Sequence, residues 1–304
     1  MSPLTPSNIW RDRCTAGLQF SRAEAEELVD RVAREPTDVI ARLPLLVCCG
    51  GQFRLTHLAW FIEHMPHLDL GLFWTVARDR AQIERLRELW ERALELNSGS
   101  VAVATNAAWA FVETDVTFGE VLLSSGARTH PGDLQWRFAL RDYYNFVLTL
   151  AAAGLAESAI ERTMRAISNL EELFLLQGDP GILRDLRHLA ASPALSSRLR
   201  LYRTAMACIE HGDPGAPMIA AALVGMATGD LSLARERLLE GSELLQEIST
   251  AYPLLRELLL VGERGTVGDF LRRCANRWAD RPTLETWAEA IDRGELPDFD
   301  GVGS

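Results

Sequence analysis

Apolar residues recur along the chain at the spacing of one helix face, and helix boundary signals accompany them. Ser21 and Glu24 form a capping box, and Pro66 stops the helix that precedes it. No Asn-Gly or Asp-Gly turn separates alternating β-branched runs, so strand signals are nearly absent. The sequence therefore predicts an all-α protein, in which short connections make consecutive helices antiparallel neighbours.

The predicted helices cover most of the chain. In the first half they span 22–35, 54–65, 82–96, 100–112, 119–127, 134–153 and 155–176. Between the first two, Thr37 caps a further helix, which is kinked or broken at Pro44. In the second half they span 179–191, 195–211, 218–228, 231–246, 253–261, 267–279 with Thr266 as its N-cap, and 283–293. Residues 212–217 form the strongest break, and we expect a loose tail at 294–304.

Four stretches share one helix–turn–helix pattern with small residues at repeated positions. Gly154 is followed by Ala159 and Ala166, five and twelve residues later, and Gly229 is followed by Ala234 at the first of these spacings. A larger side chain at such a position would hold two helices apart. We therefore expect close helix contacts at Ala107, Gly119, Ala159 and Ala234.

This pattern resembles the tetratricopeptide repeat, a helix pair of about 34 residues. The match is good over 82–176 and fair over 218–246, and the repeat ends at Ser98 and Pro131 are 33 residues apart. The chain also resembles stand-alone bacterial repeat proteins of this kind at 57–64, around Trp109, and at 131–136. The resemblance implies a right-handed superhelical solenoid of antiparallel helix pairs, whose first helices line a concave groove for a partner peptide. It implies no catalytic activity.

The strength of the match divides the chain into four predicted segments. Residues 1–72 form an irregular N-terminal helical cap, and residues 73–176 carry the repeats. Residues 177–246 hold a helix pair without the small-residue pattern, followed by a further repeat. Residues 247–304 form C-terminal capping helices and the loose tail.

Composition excludes several classes of protein. All 31 basic residues are arginine, so an enzyme that needs a Schiff-base lysine, a phosphate-loop lysine or a kinase lysine is excluded. The net charge of −11 argues against nucleic acid and anionic membrane surfaces, and it favours a basic partner. No apolar stretch has signal-peptide or bilayer length, which predicts a cytoplasmic protein without a membrane partner.

The titratable residues form no recognised catalytic or metal motif, so we expect no cofactor and no metal. His57, His64 and His67 lie close in sequence, but their spacing matches no zinc motif and Pro66 interrupts the helix before His67. The five cysteines are interpreted as small buried apolar residues of a reducing compartment. A thiol sensor at adjacent Cys48 and Cys49 is the alternative for that pair.

The tryptophans are the most ambiguous set of side chains. Trp60, Trp90 and Trp109 lie on apolar helical stripes, which predicts that they belong to the core. Trp136 follows a turn and lies beside an arginine, so a core position and an exposed one are equally compatible with the pattern.

The candidate binding site lies on the predicted helix 134–153. Arg137, Arg141, Tyr144 and Asn145 fall within nine residues there, and Arg78 on the preceding segment would extend the set. Arginine and tyrosine are favoured interface anchors, and a guanidinium with an amide can hold a peptide backbone or a carboxylate. In the alternative interpretation, Tyr144 packs inside the protein and the arginines are only solvated.

The sequence thus predicts a non-catalytic scaffold that binds a partner protein or peptide in the concave groove. The first alternative is a regulator that binds a peptide or a small molecule in the same groove and changes shape. The second alternative is an enzyme on a helical solenoid, which would need titratable residues clustered in one pocket.

Overall fold

The protein is all-helical in the part of the chain that the structure, a computed structural model, describes. That part comprises residues 6–75, 80–152, 159–191, 195–278 and 281–299. It contains sixteen α-helices and short 3-10 turns but no strand, which confirms the predicted all-α class for these residues. The chain forms two compact units, Met1–Ala159 and Ile160–Ser304.

The first unit contains eight of the described helices. They are α1 (Pro6–Ala16), α2 (Arg22–Arg34), α3 (Val39–Cys48), α4 (Gly51–His64), α5 (Arg80–Leu96), α6 (Val101–Ala110), α7 (Val116–Thr129) and α8 (Leu134–Ala152). A 3-10 turn at Gly71–Trp74 follows α4. Helices α6, α7 and α8 each pack against the other two.

The second unit contains the remaining eight. They are α9 (Ala159–Gln177), α10 (Pro180–Leu189), α11 (Ser196–Glu210), α12 (Ala216–Thr228), α13 (Leu231–Leu244), α14 (Tyr252–Leu260), α15 (Arg264–Ala275) and α16 (Arg281–Asp292). Here α12 packs between α11 and α13, and α15 packs against α16. None of the described helices in either unit has both the length and the apolar character needed to span a bilayer.

Two helix starts follow the predicted capping chemistry. The Ser21 hydroxyl accepts a hydrogen bond from the Glu24 amide, and the Glu24 carboxylate accepts one from the Ser21 amide at 2.7 Å. This confirms the capping box. The Asp179 carboxylate accepts from the amide at Gly181, two residues on, with Pro180 at the first helical position.

Three predictions about helix caps and breaks differ from the structure. Asp38, and not Thr37, caps α3, because its carboxylate accepts a 2.9 Å hydrogen bond from the Ala41 amide. Helix α3 then continues through Pro44 to Cys48. Thr266 lies inside α15, where its hydroxyl donates to the Glu263 carboxylate at 3.0 Å, so the prediction of a Thr266 N-cap is wrong.

The described part of the C-terminal tail is attached to the second unit. Phe299 is buried, and its ring lies 5.2 Å from that of Trp287 and 5.5 Å from that of Tyr252. An aromatic ring that buries its apolar area can hold a short segment without secondary structure. The structure therefore differs from the predicted loose tail at Phe299, whereas Glu295, Leu296 and Asp298 are exposed.

The core of the first unit is aromatic. Trp74 and Trp90 are fully buried with ring centroids 4.9 Å apart in an edge-to-face arrangement, and Phe61 packs edge-on against Trp74. Trp90 is thus a core residue as predicted. Trp60 and Trp109 are only half-buried: Trp60 packs against this core, and the Trp109 ring contacts Tyr143 and Phe146.

The small residues of the predicted pattern do lie at close helix contacts. A Cβ on Gly119 would overlap the Tyr143 ring, and one on Gly126 would overlap the ring of buried Trp136. Ala107 and Ala234 are fully buried. The side chain of Ala159 lies outside the described residues, so the pattern is confirmed only at the other positions.

Candidate binding groove

The predicted site residues on α8 are three and four positions apart and share one broad face, but they differ in exposure. Arg141 is half-buried, and its Nε and Nη2 donate to the Asp142 carboxylate at 3.0 and 2.9 Å. Asn145 is exposed and Arg137 is half-buried. Arg78 lies outside the described residues.

Tyr144 differs most from the expectation of an accessible anchor. Its side chain is only 3% exposed, and its hydroxyl donates a 2.9 Å hydrogen bond to the Glu120 carboxylate of α7. A side chain in this position stabilises the contact between α7 and α8 and presents no surface to a partner. The placement corresponds to the alternative in which Tyr144 packs inside the protein.

A groove of about 680 Å³ lies beside α8, but another face of the helix lines it. That face presents Ala139, Asp142 and Phe146, which share one side because they are three and four residues apart. Arg141 lies two positions from Ala139, or about 200° around the helix. The groove is thus lined by a different face of α8 from the one that carries the predicted site residues.

Helix α6 and the segment after α4 form the other sides of this groove. Ala102, Thr105, Asn106 and Trp109 line it from α6, and residues 69–73 with His67 and Arg11 line it from the opposite side. Ala102 and Ala139 are small, so the space between α6 and α8 stays open at these positions. We call this space, bounded by α6, α8, residues 67–73 and Arg11, the unit 1 groove.

Asn106 holds one wall of the unit 1 groove in place. Its side chain is 5% exposed, and its amide nitrogen donates to the Pro66 carbonyl at 2.8 Å and to the Leu68 carbonyl at 2.9 Å. These bonds satisfy two backbone carbonyl groups that lie outside any helix and therefore have no helical hydrogen bond. The wall is consequently tied to α6 across about forty residues of sequence.

The floor of the groove is aromatic. The Trp109 ring packs edge-on against Phe146, with centroids 5.0 Å apart, and against Tyr143 at 5.9 Å. Trp109 and Phe146 are half-buried and both line the groove, so their exposed edges offer apolar contact area at low entropic cost.

Ion pairs with accessible carboxylates flank this floor. Arg11 pairs with Asp69 at one side, and Arg141 pairs with Asp142 on α8. The aspartate side chains retain 49% and 58% of their exposure, so each carboxylate can accept further hydrogen bonds from a ligand.

The histidines considered as metal ligands have other partners. His57 is buried with its Nδ1 3.2 Å from an Arg42 guanidinium nitrogen, and burial together with the Arg42 charge lowers the pKa of His57 to about 4. The His64 ring stacks on Trp60 with centroids 4.6 Å apart. Across the described residues, no three His, Cys, Asp or Glu side chains are grouped as a metal site would require.

A buried titratable cluster lies elsewhere, in the second unit. Tyr202 of α11 donates a short hydrogen bond to Glu171 of α9, and Arg198 lies 3.2 Å from the same carboxylate. Burial raises the pKa of Glu171. Neither the unit 1 groove nor the two other cavities described in the first unit are lined by these residues.

Comparison of the chain with family models, with curated proteins and with solved structures gives no match.

Proposed function

We propose that this chain is a non-catalytic interaction protein that binds a segment of a partner protein in the unit 1 groove. The observation that supports the proposal most is that α6 and α8, separated in sequence by α7, line one groove of about 680 Å³. In the repeats that the sequence resembles, the first helices of successive pairs line such a groove. The proposal assigns α6 and α8 to those first helices and α7 to the second helix of a pair.

The solenoid is part of the same proposal. We infer that the chain stacks antiparallel helix pairs into a right-handed superhelix of the tetratricopeptide kind. Support comes from the mutual packing of α6, α7 and α8 and from the glycines that permit close approach of α7 and α8. An experimental structure with parallel neighbouring helices in these groups would contradict it.

The lining of the groove indicates the chemistry of the partner. Trp109 and Phe146 offer an apolar floor, while Asp69 and Asp142 offer carboxylates with free surface. The net charge of −11 also favours approach of a positively charged partner. A peptide that carries a large apolar side chain next to arginine or lysine fits these features best.

A small molecule is the second candidate, because the volume of the groove lies in the usual range for small-molecule sites. It would belong to a regulator whose helices rearrange when it binds. Hydrogen exchange distinguishes the two functions. A regulator should show ligand-dependent changes in helices away from the groove, whereas a scaffold should show protection confined to α6, α8 and residues 67–73.

The proposal can be tested by selecting peptides from a random-sequence library on the full chain. We expect the selected peptides to be rich in arginine or lysine and in large apolar residues. Ala139→Arg should place a bulky cation in the groove and lower the affinity of these peptides by about tenfold or more. Asn145→Arg introduces the same side chain on the same helix outside the groove and should leave the affinity nearly unchanged.

Both variants must first melt like the wild type, so that a loss of binding reports the groove and not the fold. Equal binding to the wild type and to Ala139→Arg would exclude the unit 1 groove as the site. Loss of binding in Asn145→Arg or in Arg141→Ala alone would instead support the face of α8 that the sequence indicated.

A further inference from the structure

The adjacent cysteines at the end of α3 lie apart from the unit 1 groove. Cys48 is the last residue of α3, and Cys49 follows it in extended conformation with φ −101° and ψ 145°. This change of backbone direction leaves the two Sγ atoms 4.0 Å apart. Both residues are half-buried, whereas Cys14, Cys208 and Cys274 are buried. The pair is therefore the accessible thiol site among the described residues.

The separation of the sulfurs suits a bridging atom better than a direct bond between them. A disulfide requires about 2.0 Å between the sulfur atoms, and the two residues would have to move to reach it. Bonds from sulfur to a metal or metalloid are longer, about 2.3 Å for zinc. Two such bonds that meet at roughly 100–110° hold the sulfurs about 3.5–3.8 Å apart, so one central atom can join the two sulfurs after a shift of a few tenths of an ångström.

The surroundings restrict which central atom can bind. Zinc takes four ligands, and no group of three or more candidate ligands is assembled in the described part of the chain. A centre that carries a substituent of its own needs only these two sulfurs. Trivalent arsenic with one organic group meets this condition, because it forms two bonds to sulfur and keeps one to carbon.

The protonation of the thiols is compatible with this chemistry. Burial, and then the neighbouring Cys49, raise the pKa of Cys48 to about 11, so this thiol stays protonated near neutral pH. A low thiolate fraction disfavours thiol–disulfide exchange. Condensation with an arsenous oxide consumes thiols: two S–H bonds and the As=O bond break, two As–S bonds form, and one water leaves. No oxidant or reductant is needed.

A cavity beside Cys49 offers room for the organic substituent. It measures about 400 Å³, and Cys49 lines it together with apolar Leu46, Val47, Leu55 and Phe73. An aromatic or aliphatic group in contact with these side chains would bury apolar area and strengthen binding.

We propose that Cys48 and Cys49 form a dithiol site for monosubstituted trivalent arsenicals, with the organic group in the cavity beside Cys49. The test incubates the folded, full chain with phenylarsine oxide, in the presence of a phosphine reductant, and measures intact mass. We expect one adduct per chain, equal in mass to phenylarsine oxide less one water. A competing small dithiol should remove it, and a monothiol should not.

Matched variants assign the adduct. Cys48→Ser and Cys49→Ser should each abolish the dithiol-reversible adduct, while Cys208→Ser, which alters a buried thiol, should retain it. Circular dichroism and melting confirm that all three variants fold. Methylarsonous acid, which presents a smaller group to the cavity, should be displaced by the competing dithiol at a lower concentration than the phenyl compound.

Several results would overturn the proposal. One is an adduct that persists in both serine variants of the pair, and another is an adduct that forms only after denaturation. A third is a mass loss of two hydrogens without arsenic, which would mean that the pair oxidises to a disulfide instead. If the same concentration of the competing dithiol displaced the phenyl and the methyl compound, the organic group would not lie in the cavity beside Cys49.

Discussion

The helix pairs α7–α8 and α12–α13 use glycine for different contacts. In the first unit, Gly119 and Gly126 of α7 lie under the rings of Tyr143 and Trp136 on α8. In the second unit, a Cβ on Gly225 would lie 3.3 Å from the Ala234 amide nitrogen. One on Gly241 would lie 3.1 Å from the terminal methyl of Ile219.

The difference shows that one small-residue pattern can serve two kinds of packing. In α7–α8 the glycines accommodate whole aromatic rings, which are rigid and cannot yield by a few tenths of an ångström. In α12–α13 they permit close approach of a backbone or of a flexible aliphatic end. Trp136 and Tyr143 lie three and four positions from Ala139, so the packing on α7 adjoins the face of α8 that lines the unit 1 groove.

The aromatic pair should be the more sensitive to truncation, and Tyr144→Ala should have the largest effect. Removing this buried ring leaves a cavity between α7 and α8, which should lower the free energy of unfolding by about 4 kcal/mol. Urea denaturation followed by circular dichroism measures it. Arg141→Ala serves as the control on the same helix and should cost far less, since the carboxylate with which it pairs is more than half exposed. Similar losses in the two variants would contradict the observed orientation of α8.

Adding one methyl group at the aromatic contact tests the glycine directly. Gly126→Ala should lower the free energy of unfolding by about 3 kcal/mol through overlap with the Trp136 ring, despite the better helix propensity of alanine. Combining it with Trp136→Leu should recover part of the loss, because the two changes occur at one contact. Additive losses in this double-mutant cycle would show that the glycine and the ring do not act together.

His57 in the first unit and Glu171 in the second should contribute to the pH dependence of stability in opposite directions. The folded state keeps His57 neutral down to a pKa of about 4, whereas an unfolded histidine gains its proton near pH 6.5. Acidification through this window therefore favours unfolding of the first unit, by up to about 3 kcal/mol. His57→Gln should remove this part of the pH dependence. Denaturation of the variant and of the wild type at a series of pH values measures the difference in the free energy of unfolding.

Glu171 makes the contrast sharper because burial raises its pKa in the folded second unit. The contribution of Glu171 to the stability of the folded state is fully present below the pKa of an unfolded glutamate. It is lost as the pH rises through the pKa of Glu171 in the folded state. Glu171→Gln should therefore reduce the loss of stability on raising the pH from acidic values. Hydrogen exchange resolved by peptide assigns each effect to its unit, and identical pH profiles for α4 and α9 would contradict the contrast.

In the aliphatic pair, a large side chain at a small position should have an intermediate effect. Ala234→Leu should cost about 2 kcal/mol through overpacking at the fully buried contact between α12 and α13. The exposed Glu161→Leu on α9 is the control and should shift the denaturation midpoint far less. If both changes shifted it equally, the register assigned to the second unit would be wrong.

The smallest expected effect is a gain. Gly241→Ala would press only on the flexible end of Ile219, so the improved helix propensity should dominate and raise stability by about 0.5 kcal/mol. Thermal melting detects it. A loss as large as that of Gly126→Ala would show that the two glycine contacts do not differ.

Local chemistry explains which parts of this molecule could be predicted from its sequence. The capping box at Ser21 and the helix start at Asp179–Pro180 involve residues at most three positions apart, so their hydrogen bonds can be predicted from the sequence. The cap prediction at Thr37 is wrong because the neighbouring Asp38 caps α3, and that at Thr266 is wrong because α15 already begins at Arg264. Residue type alone does not decide between such neighbouring positions.

The sequence by itself determined the all-helical class, most helix positions and the small residues at helix contacts, because periodicity and capping act within one or two turns. Only the tertiary structure decided which face of α8 meets the groove. Tyr144 and Asp142 are both plausible contact residues by type, but the rings that pack on Gly119 and Gly126 orient Tyr144 inward and leave Asp142 outside. The wall held by Asn106 depends likewise on a contact across about forty residues of chain, and no local pattern encodes such a contact.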